Sequence, residues 1–409
     1  MLSSLSLLYF AQGLPFGFFS HAVPVLLNRD HRAEIVGLSS LLALPWGLKF
    51  LWAPLVERVR PKGRWGRRKR VILPAQLATF ALLVTMGSLG SGEAEIAALV
   101  LGFFLVSLLS ATQDIATDAL TIELLPVEDR GRGGAIQTGA YRLGMIAGGG
   151  GVLALADQLG YREAFWLMAA MVALASLPLL LLREPRSEEP ASPQPEAKES
   201  LLLGFLRTPT FWPSIGLITV YKLGDALCAG MVTRWFVKAG VSTTHIASSR
   251  GLAGGLASVA GAILAAYAVG RLSRRAALVT MASAQAAAVA MYLGLALLYP
   301  VEAPMPLWGF YAASIVEHVA GGAATAVLFT FMMDRVRPHA PATDYTAQAS
   351  LLVFITGIGL VGSGFIVGQV GLVGLFAVAT CASALSPGLV GRLYRRVALD
   401  TPPPTRRVT

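Results

Sequence analysis

Long apolar stretches, separated by short charged or turn-rich breaks, repeat along almost the whole chain. Each stretch is about 20 residues or longer, which is the length that an α-helix needs to cross the hydrocarbon core of a membrane. The pattern therefore predicts an all-α integral membrane protein with twelve transmembrane helices. The predicted spans cover residues 3–27, 35–57, 70–91, 94–124, 132–156, 163–182, 211–236, 246–270, 276–299, 307–333, 345–370 and 372–394.

One break differs from the others, because residues 183–200 are rich in Pro, Glu and Ser and predict a solvated linker. It separates six spans from six spans. The first span of each half carries a tyrosine, Tyr9 or Tyr221, and the second runs into a basic turn, GRRKR at 66–70 or GRLSRR at 270–275. These features predict two six-helix bundles with pseudo-two-fold symmetry. The predicted units are an N-terminal bundle (1–182), a cytoplasmic linker (183–210), a C-terminal bundle (211–396) and a cytoplasmic tail (397–409).

The composition agrees with a membrane protein. Of the 409 residues 55% are hydrophobic and 14% charged, whereas a soluble domain carries about 25% charged residues. A disordered chain is excluded and a soluble enzyme is disfavoured. The first apolar stretch lacks a basic segment before it, so we interpret it as a spanning helix and not as a cleaved signal. Two distant cysteines imply no disulfide framework, and neither a phosphate-binding loop nor a metal-binding motif occurs, so no cofactor is expected.

The placement of Lys and Arg predicts the orientation in the membrane. Short cytoplasmic loops carry an excess of these residues. With the N-terminus inside, 24 of the 33 Lys and Arg residues fall on the cytoplasmic side, six fall outside and three lie within spans. The sequence therefore predicts that both termini are cytoplasmic.

Ionisable residues inside spans are costly and are candidates for function. Asp114 and Arg142 lie 12 residues before and 11 residues after the turn at 126–131, so both are expected at a similar depth, roughly 15 Å from it. Asp114 and Asp118 share one helix face, as do Lys222 and Asp225. Each set could instead be a structural ion pair. The candidates for proton coupling are Asp114, Asp118, Asp225, Glu317 and His318.

Three cations within the spans, Lys49, Arg142 and Lys222, would attract an anion carrying carboxylate or phosphate groups. Nearby acids could also neutralise all three, and this alternative stays open. Polar and aromatic residues at similar depth are candidates for the walls of the same cavity. These residues are Tyr9, Gln12, Trp46, Gln113, Tyr141 and Tyr221.

Five strings resemble one branch of a known family. They are YFAQGLPFG at 9–17, LKFLWAPLVER at 48–58 with GRRKR at 66–70, ATQDIATDAL at 111–120, YRLGMIAGG at 141–149 and YKLGDAL at 221–227. Together they resemble the AmpG-like branch of the major facilitator superfamily, in both halves of the chain. That resemblance implies the major facilitator fold, in which the substrate lies between two bundles. It also implies a cytoplasmic gating motif made of Glu57, Arg58, Gly66, Arg67 and Arg68.

The resemblance further implies a proton-driven importer of bulky anionic solutes in a bacterial inner membrane. Muropeptides are the first expected substrate, and a siderophore or a coenzyme A ester is the alternative. The expected partners are an anionic small molecule, protons and lipid, with no nucleic acid, and a functional monomer. A non-transporting receptor built on a transporter fold also stays open. An integral membrane transferase is disfavoured, because no nucleophile and base pair is found in the sequence.

Overall fold

A computed structural model describes residues 1–28, 44–59, 66–89, 93–152, 155, 158, 160–182, 184, 200–299 and 303–399. Within these ranges the regular structure is helical, and no strand occurs. The all-α prediction is therefore confirmed. Of the predicted linker at 183–210, residues 183 and 185–199 lie outside the described residues, and the described part contains a short helix at Leu201–Leu206.

The first half of the chain begins with a long helix and ends at Leu181. Its α-helices are α1 (Leu2–Asn28), α2 (Leu44–Leu48), α3 (Ala53–Glu57), α4 (Lys69–Gly87), α5 (Glu93–Leu124), α6 (Arg130–Ile146) and α7 (Tyr161–Leu181). A 3₁₀ turn at Lys49–Leu51 joins α2 to α3. A π-helical turn at Ala147–Gly151 continues α6.

The second half contains two short helices and five long ones. They are α8 (Leu201–Leu206), α9 (Phe211–Lys238), α10 (Thr243–Ser248), α11 (Gly254–Arg271), α12 (Arg274–Leu298), α13 (Leu307–Met333) and α14 (Pro341–Leu399). A second π-helical turn, Ser249–Ala253, joins α10 to α11. Within α14, Gly371 has φ 72° and breaks the helix into two arms. The break falls between the predicted spans 345–370 and 372–394.

Eight helices among the described residues are long and apolar enough to cross a membrane, counting both arms of α14 as one. The count of twelve spans stays a prediction. The stretch predicted as one span at 35–57 is interrupted in the structure, because the 3₁₀ turn and Trp52 (φ −111°, ψ 0°) separate α2 from α3. Pro54 lies in the first turn of α3, where its missing N–H costs no helical hydrogen bond.

Large apolar side chains cover much of the outer surface of the bundle. Leu181 is 87% exposed, and Leu298 and Phe365 are each 73% exposed. A water-facing protein rarely exposes such a surface, whereas lipid tails solvate it without cost. Four buried apolar clusters hold the helices together. Two of them lie entirely or mainly among helices of the first half, and the other two lie entirely or mainly among helices of the second half.

Glycines bring α1 and α6 into backbone contact. A Cβ atom added at Gly13 would lie 2.2 Å from the carbonyl oxygen of Tyr141, and one at Gly144 would lie 2.1 Å from that of Phe10. Any side chain at either position would push the two helices apart. The halves meet where α6 runs beside α11, and an ideal Cβ at Gly139 would lie 3.8 Å from Cβ of Ala262.

Candidate functional site

A buried ion pair lies in the first half, well inside the bundle. The 3₁₀ turn between α2 and α3 directs the Lys49 ammonium at a carboxylate oxygen of Asp114 on α5. The two side chains are 3% and 7% exposed. The Lys49 ammonium also lies 5.4 Å from the centre of the Trp46 ring, within cation–π range. The sequence predicted Asp114 and Arg142 at a similar depth, but in the structure the partner of Asp114 is Lys49.

Arg142 is exposed, and among the described residues no carboxylate pairs with it. Its Nη1 atom lies 3.8 Å from the sulfur of Met145 on the same helix. Equal depth did not bring Arg142 and Asp114 together, because the rotation of α6 also decides where a side chain points. Of the three cations predicted within the spans, Arg142 alone lacks an acidic partner in this part of the structure.

Three aromatic rings form a cluster beside the Lys49–Asp114 pair. The centroids of Phe16 and Trp46 are 5.8 Å apart, those of Phe16 and Tyr141 are 5.9 Å apart, and those of Trp46 and Tyr141 are 6.1 Å apart. Trp46 and Tyr141 were predicted as cavity walls, whereas Phe16 was not. Such rings offer a surface for the apolar face of a solute.

Two glutamines predicted to contact substrate are buried. Gln12 is 1% exposed, and neither atom of its amide has a hydrogen-bond partner among the described residues. Gln113 is 4% exposed, and its Nε2 likewise lacks one there. Both side chains keep hydrogen-bonding capacity inside the bundle.

Asp118 lies one helical turn from Asp114 and is fully buried. Its Oδ1 accepts hydrogen bonds from the Tyr9 hydroxyl and from Nε2 of Gln137, each at 2.9 Å. The hydroxyl of Tyr345 on α14 donates to Oε1 of Gln137 at 2.6 Å. Sequence reasoning missed Gln137 and Tyr345, because no spacing rule relates residues on α5, α6 and α14.

The second half holds two further polar pairs. Nζ of Lys222 lies 2.6 Å from Oδ2 of Asp225, as their spacing of three residues predicts. Tyr221 beside them is buried, and its hydroxyl has no partner among the described residues. On α13, Nδ1 of His318 lies 2.8 Å from Oε2 of Glu317 and 2.7 Å from the carbonyl oxygen of Ser314. The predicted candidates of this half therefore lie in two pairs on α9 and α13.

A dense charge cluster lies at the end of the bundle where α3 ends and α4 begins. Arg68 is fully buried, and its Nη2 donates to Oε1 of Glu57 at 2.5 Å and to Oε1 of Glu123 at 2.6 Å. Arg67 also pairs with Glu123. Burial alone would lower the pKa of Arg68, but the two carboxylates more than offset it and raise that pKa. Arg68 therefore stays charged and holds the ends of α3, α4 and α5 together.

The remaining motif residues divide between a helix cap and the surface. Glu184 accepts hydrogen bonds from the backbone N–H groups of Arg68 and Lys69, at 3.0 and 2.7 Å, and so caps α4. An ideal Cβ at Gly66 would lie 2.1 Å from Oε2 of Glu184, so a side chain at this position would displace the Glu184 carboxylate from the end of α4. Arg58 is exposed. The prediction placed Glu184 in the linker and missed this role in capping.

The two halves are joined at the same end, which we call the basic end and define by Glu57, Arg68, Arg130, Arg274 and Asp334. Oε2 of Glu57 accepts from the backbone N–H of Thr343, at the start of α14, at 3.1 Å. Asp334 at the end of α13 binds Arg130 of the first half at 3.3 Å and Arg274 of its own half at 2.9 Å. These contacts close the basic end.

Comparison with known proteins agrees with this architecture. The model of the Major Facilitator Superfamily matches residues 5–359. The anhydromuropeptide permease of Escherichia coli (strain K12) is 31% identical over 408 residues, covering 97% of this chain and 80% of that protein. An uncharacterized protein of Haemophilus influenzae is 30% identical over 382 residues, covering 88% and 87%. Putative transporter AmpG 4 of Rickettsia conorii is 22% identical over 352 residues, covering 84% of each chain.

Solved structures share the fold at low sequence identity. The E. coli fucose:proton symporter FucP superposes with a TM-score of 0.69 at 14% identity, covering 97% of this chain and 98% of that one. A bacterial homologue of the iron transporter ferroportin, in an outward-facing state, gives 0.67 at 16% identity, covering 97% and 100%. The chain therefore belongs to the major facilitator superfamily, in its AmpG-like branch, and is a multi-pass membrane transporter and not an enzyme.

Proposed function

We propose that this protein is a proton-coupled importer of a bulky anionic solute, with an anhydromuropeptide as the substrate. The observation that carries the proposal is the 31% identity to the E. coli anhydromuropeptide permease, which extends over 97% of the chain. Similarity along both halves matters, because transporters of this fold bind substrate between their halves. We further propose that the protein works as a monomer in a bacterial inner membrane.

The charges of the site support an anionic substrate. Asp114 neutralises Lys49 and Asp225 neutralises Lys222, which leaves Arg142 with an exposed guanidinium. A guanidinium binds a carboxylate with two parallel hydrogen bonds. Arg142 is therefore the residue that we assign to the anionic group of the solute. Trp46 and Tyr141, which lie in the neighbouring aromatic cluster, would contact its apolar faces.

The closed basic end supports import as the direction of transport. The excess of Lys and Arg assigns the basic end to the cytoplasm, and both termini to the same side. Glu57 and Asp334 join the halves at this end, which supports our proposal that solute enters from the opposite side. Two of the similar solved proteins are also described as outward-facing or in the outward conformation. An importer takes up its solute in this state.

The test is uptake into proteoliposomes with an imposed inward proton gradient. We expect accumulation of an anhydromuropeptide, its loss when the gradient is collapsed, and no accumulation of acetyl-coenzyme A or a ferric siderophore. Arg142→Gln should weaken binding of the muropeptide about 10- to 100-fold, because a charge-assisted hydrogen bond is lost. Arg142→Lys keeps the charge without the planar fork and should fall between.

Two outcomes would contradict the proposal. Accumulation of one of the other two solutes in place of the muropeptide would overturn the substrate. Muropeptide uptake that does not depend on the proton gradient would overturn the proposed proton coupling. No uptake of any solute by a folded protein would favour the receptor alternative.

A further inference from the structure

Four buried side chains form one hydrogen-bonded chain that crosses between the halves. Tyr9 on α1 and Gln137 on α6 both donate to Oδ1 of Asp118 on α5, and Tyr345 on α14 donates to Gln137. Tyr9, Asp118 and Tyr345 are fully buried, and Gln137 is 8% exposed. Tyr345 alone belongs to the second half, so the contact from Tyr345 to Gln137 exists only while the halves are together.

The direction of these hydrogen bonds is set by the groups involved. An amide oxygen only accepts, and an amide nitrogen only donates. By donating to Oε1 of Gln137, the Tyr345 hydroxyl turns the amide so that Nε2 faces Asp118. Tyr345 thus positions a group that binds Asp118 without touching Asp118 itself.

In the described part of the chain, no cation near Asp118 is free to neutralise it. The charged groups that face it are Asp114 and Lys49, and the Lys49 ammonium is bound by Asp114. Among the described residues, the other packed elements offer the hydroxyls of Tyr9 and Tyr345 and the amide of Gln137. Oδ2 of Asp118 is buried without a hydrogen-bond partner among the described residues. If Asp114 and Asp118 were both ionised, Lys49 would balance only one of the two negative charges. With a proton on Asp118, the net charge of Lys49, Asp114 and Asp118 is zero.

We propose that Asp118 holds the coupled proton, and that Gln137 and Tyr345 are positioning residues which tie this proton to closure of the basic end. While Tyr345 is in place, Asp118 is sealed from water and keeps its proton. When the halves part at the basic end, Tyr345 leaves Gln137, water reaches Asp118, and the proton departs. The inference rests on the proton coupling in the proposed function. It adds the residue that carries the proton and the contact, from Tyr345 to Gln137, that exists only while the basic end is closed.

The experiment measures the gate without any solute, so that it does not depend on the proposed substrate. Spin labels are attached at Arg132→Cys and Arg392→Cys, both exposed, one in each half. The exposed Cys381 is replaced by Ser, and Cys228 is buried. Electron–electron distances in nanodiscs are recorded from pH 5 to pH 9. The closed-end distance should dominate at low pH, and the closed-to-open ratio should fall by up to about tenfold per pH unit.

The variants separate the proton site from the contact between the halves. Asp118→Asn should stay closed at all pH values. Tyr345→Phe removes one hydroxyl between the halves, and the pH response should shrink to about twofold per unit or less. Tyr292→Phe removes a buried hydroxyl that has no hydrogen-bond partner among the described residues, so it is the matched control and its response should persist. Gln137→Met, which breaks the same bridge from its other side, should reproduce Tyr345→Phe and stands in if that variant does not fold.

Four results would overturn the inference. Three of them are a distance that does not change with pH in the parent protein, an unchanged titration in Asp118→Asn, and identical behaviour of Tyr345→Phe and Tyr292→Phe. Loss of the response in Glu317→Gln, which should retain it, would move the proton site to the Glu317–His318 pair. A normal gate response without muropeptide uptake would instead reject the substrate alone.

Discussion

At the scale of single residues, the buried Lys49–Asp114 pair has a clear energetic consequence. Two opposite charges at 3% and 7% exposure depend on each other, because neither is hydrated. Removing one partner leaves the other buried and uncompensated. Removing both leaves no charge to compensate.

We therefore predict that Asp114→Asn lowers the free energy of unfolding by about 3–5 kcal/mol. Part of its loss of uptake should then come from unfolding of the protein. The double variant Lys49→Met with Asp114→Leu should recover most of the thermal stability while uptake stays absent. Scanning fluorimetry in detergent, beside proteoliposome uptake, measures both effects. Asp225→Asn is the matched control, because Lys222 is more exposed, at 11%, and should suffer less. A double variant as unstable as the single one would contradict the argument.

The sequence was enough to predict interactions within one helix and not those between helices. Lys222 and Asp225 lie three residues apart, so their contact follows from helix geometry alone. The partners of Gln137 and Asp114 depend on how neighbouring helices rotate about their axes. Depth along a helix is readable from spacing, but rotation is decided by packing of all the neighbours. For this reason Lys49 was recognised as a candidate, yet its partner was not.

At the scale of elements, a break within one predicted span positions a candidate functional side chain. The break between α2 and α3 places Lys49 in a 3₁₀ turn, which turns its ammonium toward α5. Apolar patterning predicted one uninterrupted span over 35–57, because hydrophobicity records membrane depth and does not record backbone conformation. Pro45 and Pro54 were the available signals that this helix could bend or end.

Glycine contacts between α1 and α6 can be tested with two substitutions on neighbouring turns. Gly144→Ala would place Cβ 2.1 Å from a carbonyl oxygen of α1, and it should destabilise the protein by about 1–3 kcal/mol through overpacking. Gly150→Ala has no atom of the described residues within 4 Å of its new Cβ and serves as control. Thermal unfolding in detergent should separate the two variants clearly. Equal unfolding temperatures would show that α1 and α6 are not held at this distance in the membrane.

At the scale of the whole molecule, the halves share a long seam where α6 lies beside α11. Near the basic end, an ideal Cβ at Gly131 would lie 3.0 Å from Cβ of Val269. Eight residues further along α6, the Gly139 position faces Ala262 at 3.8 Å. The two positions on α6 are about 12 Å apart along the helix. If the halves rock about the middle of the membrane, the first pair separates in each cycle and the second pair hardly moves.

Two disulfides along this seam test the rocking motion. Disulfides need Cβ atoms about 3.5–4.5 Å apart, which a small shift allows for the first pair and which the second pair meets directly. In the Cys381→Ser background, oxidised Gly131→Cys/Val269→Cys should lose proton-driven uptake, because the basic end can no longer open, and a reductant should restore it. Oxidised Gly139→Cys/Ala262→Cys should retain a substantial part of the uptake, since it joins the halves near their pivot. Equal arrest by both cross-links would mean that the halves separate along the whole seam, and unimpaired uptake with the first would mean that transport does not require the basic end to open.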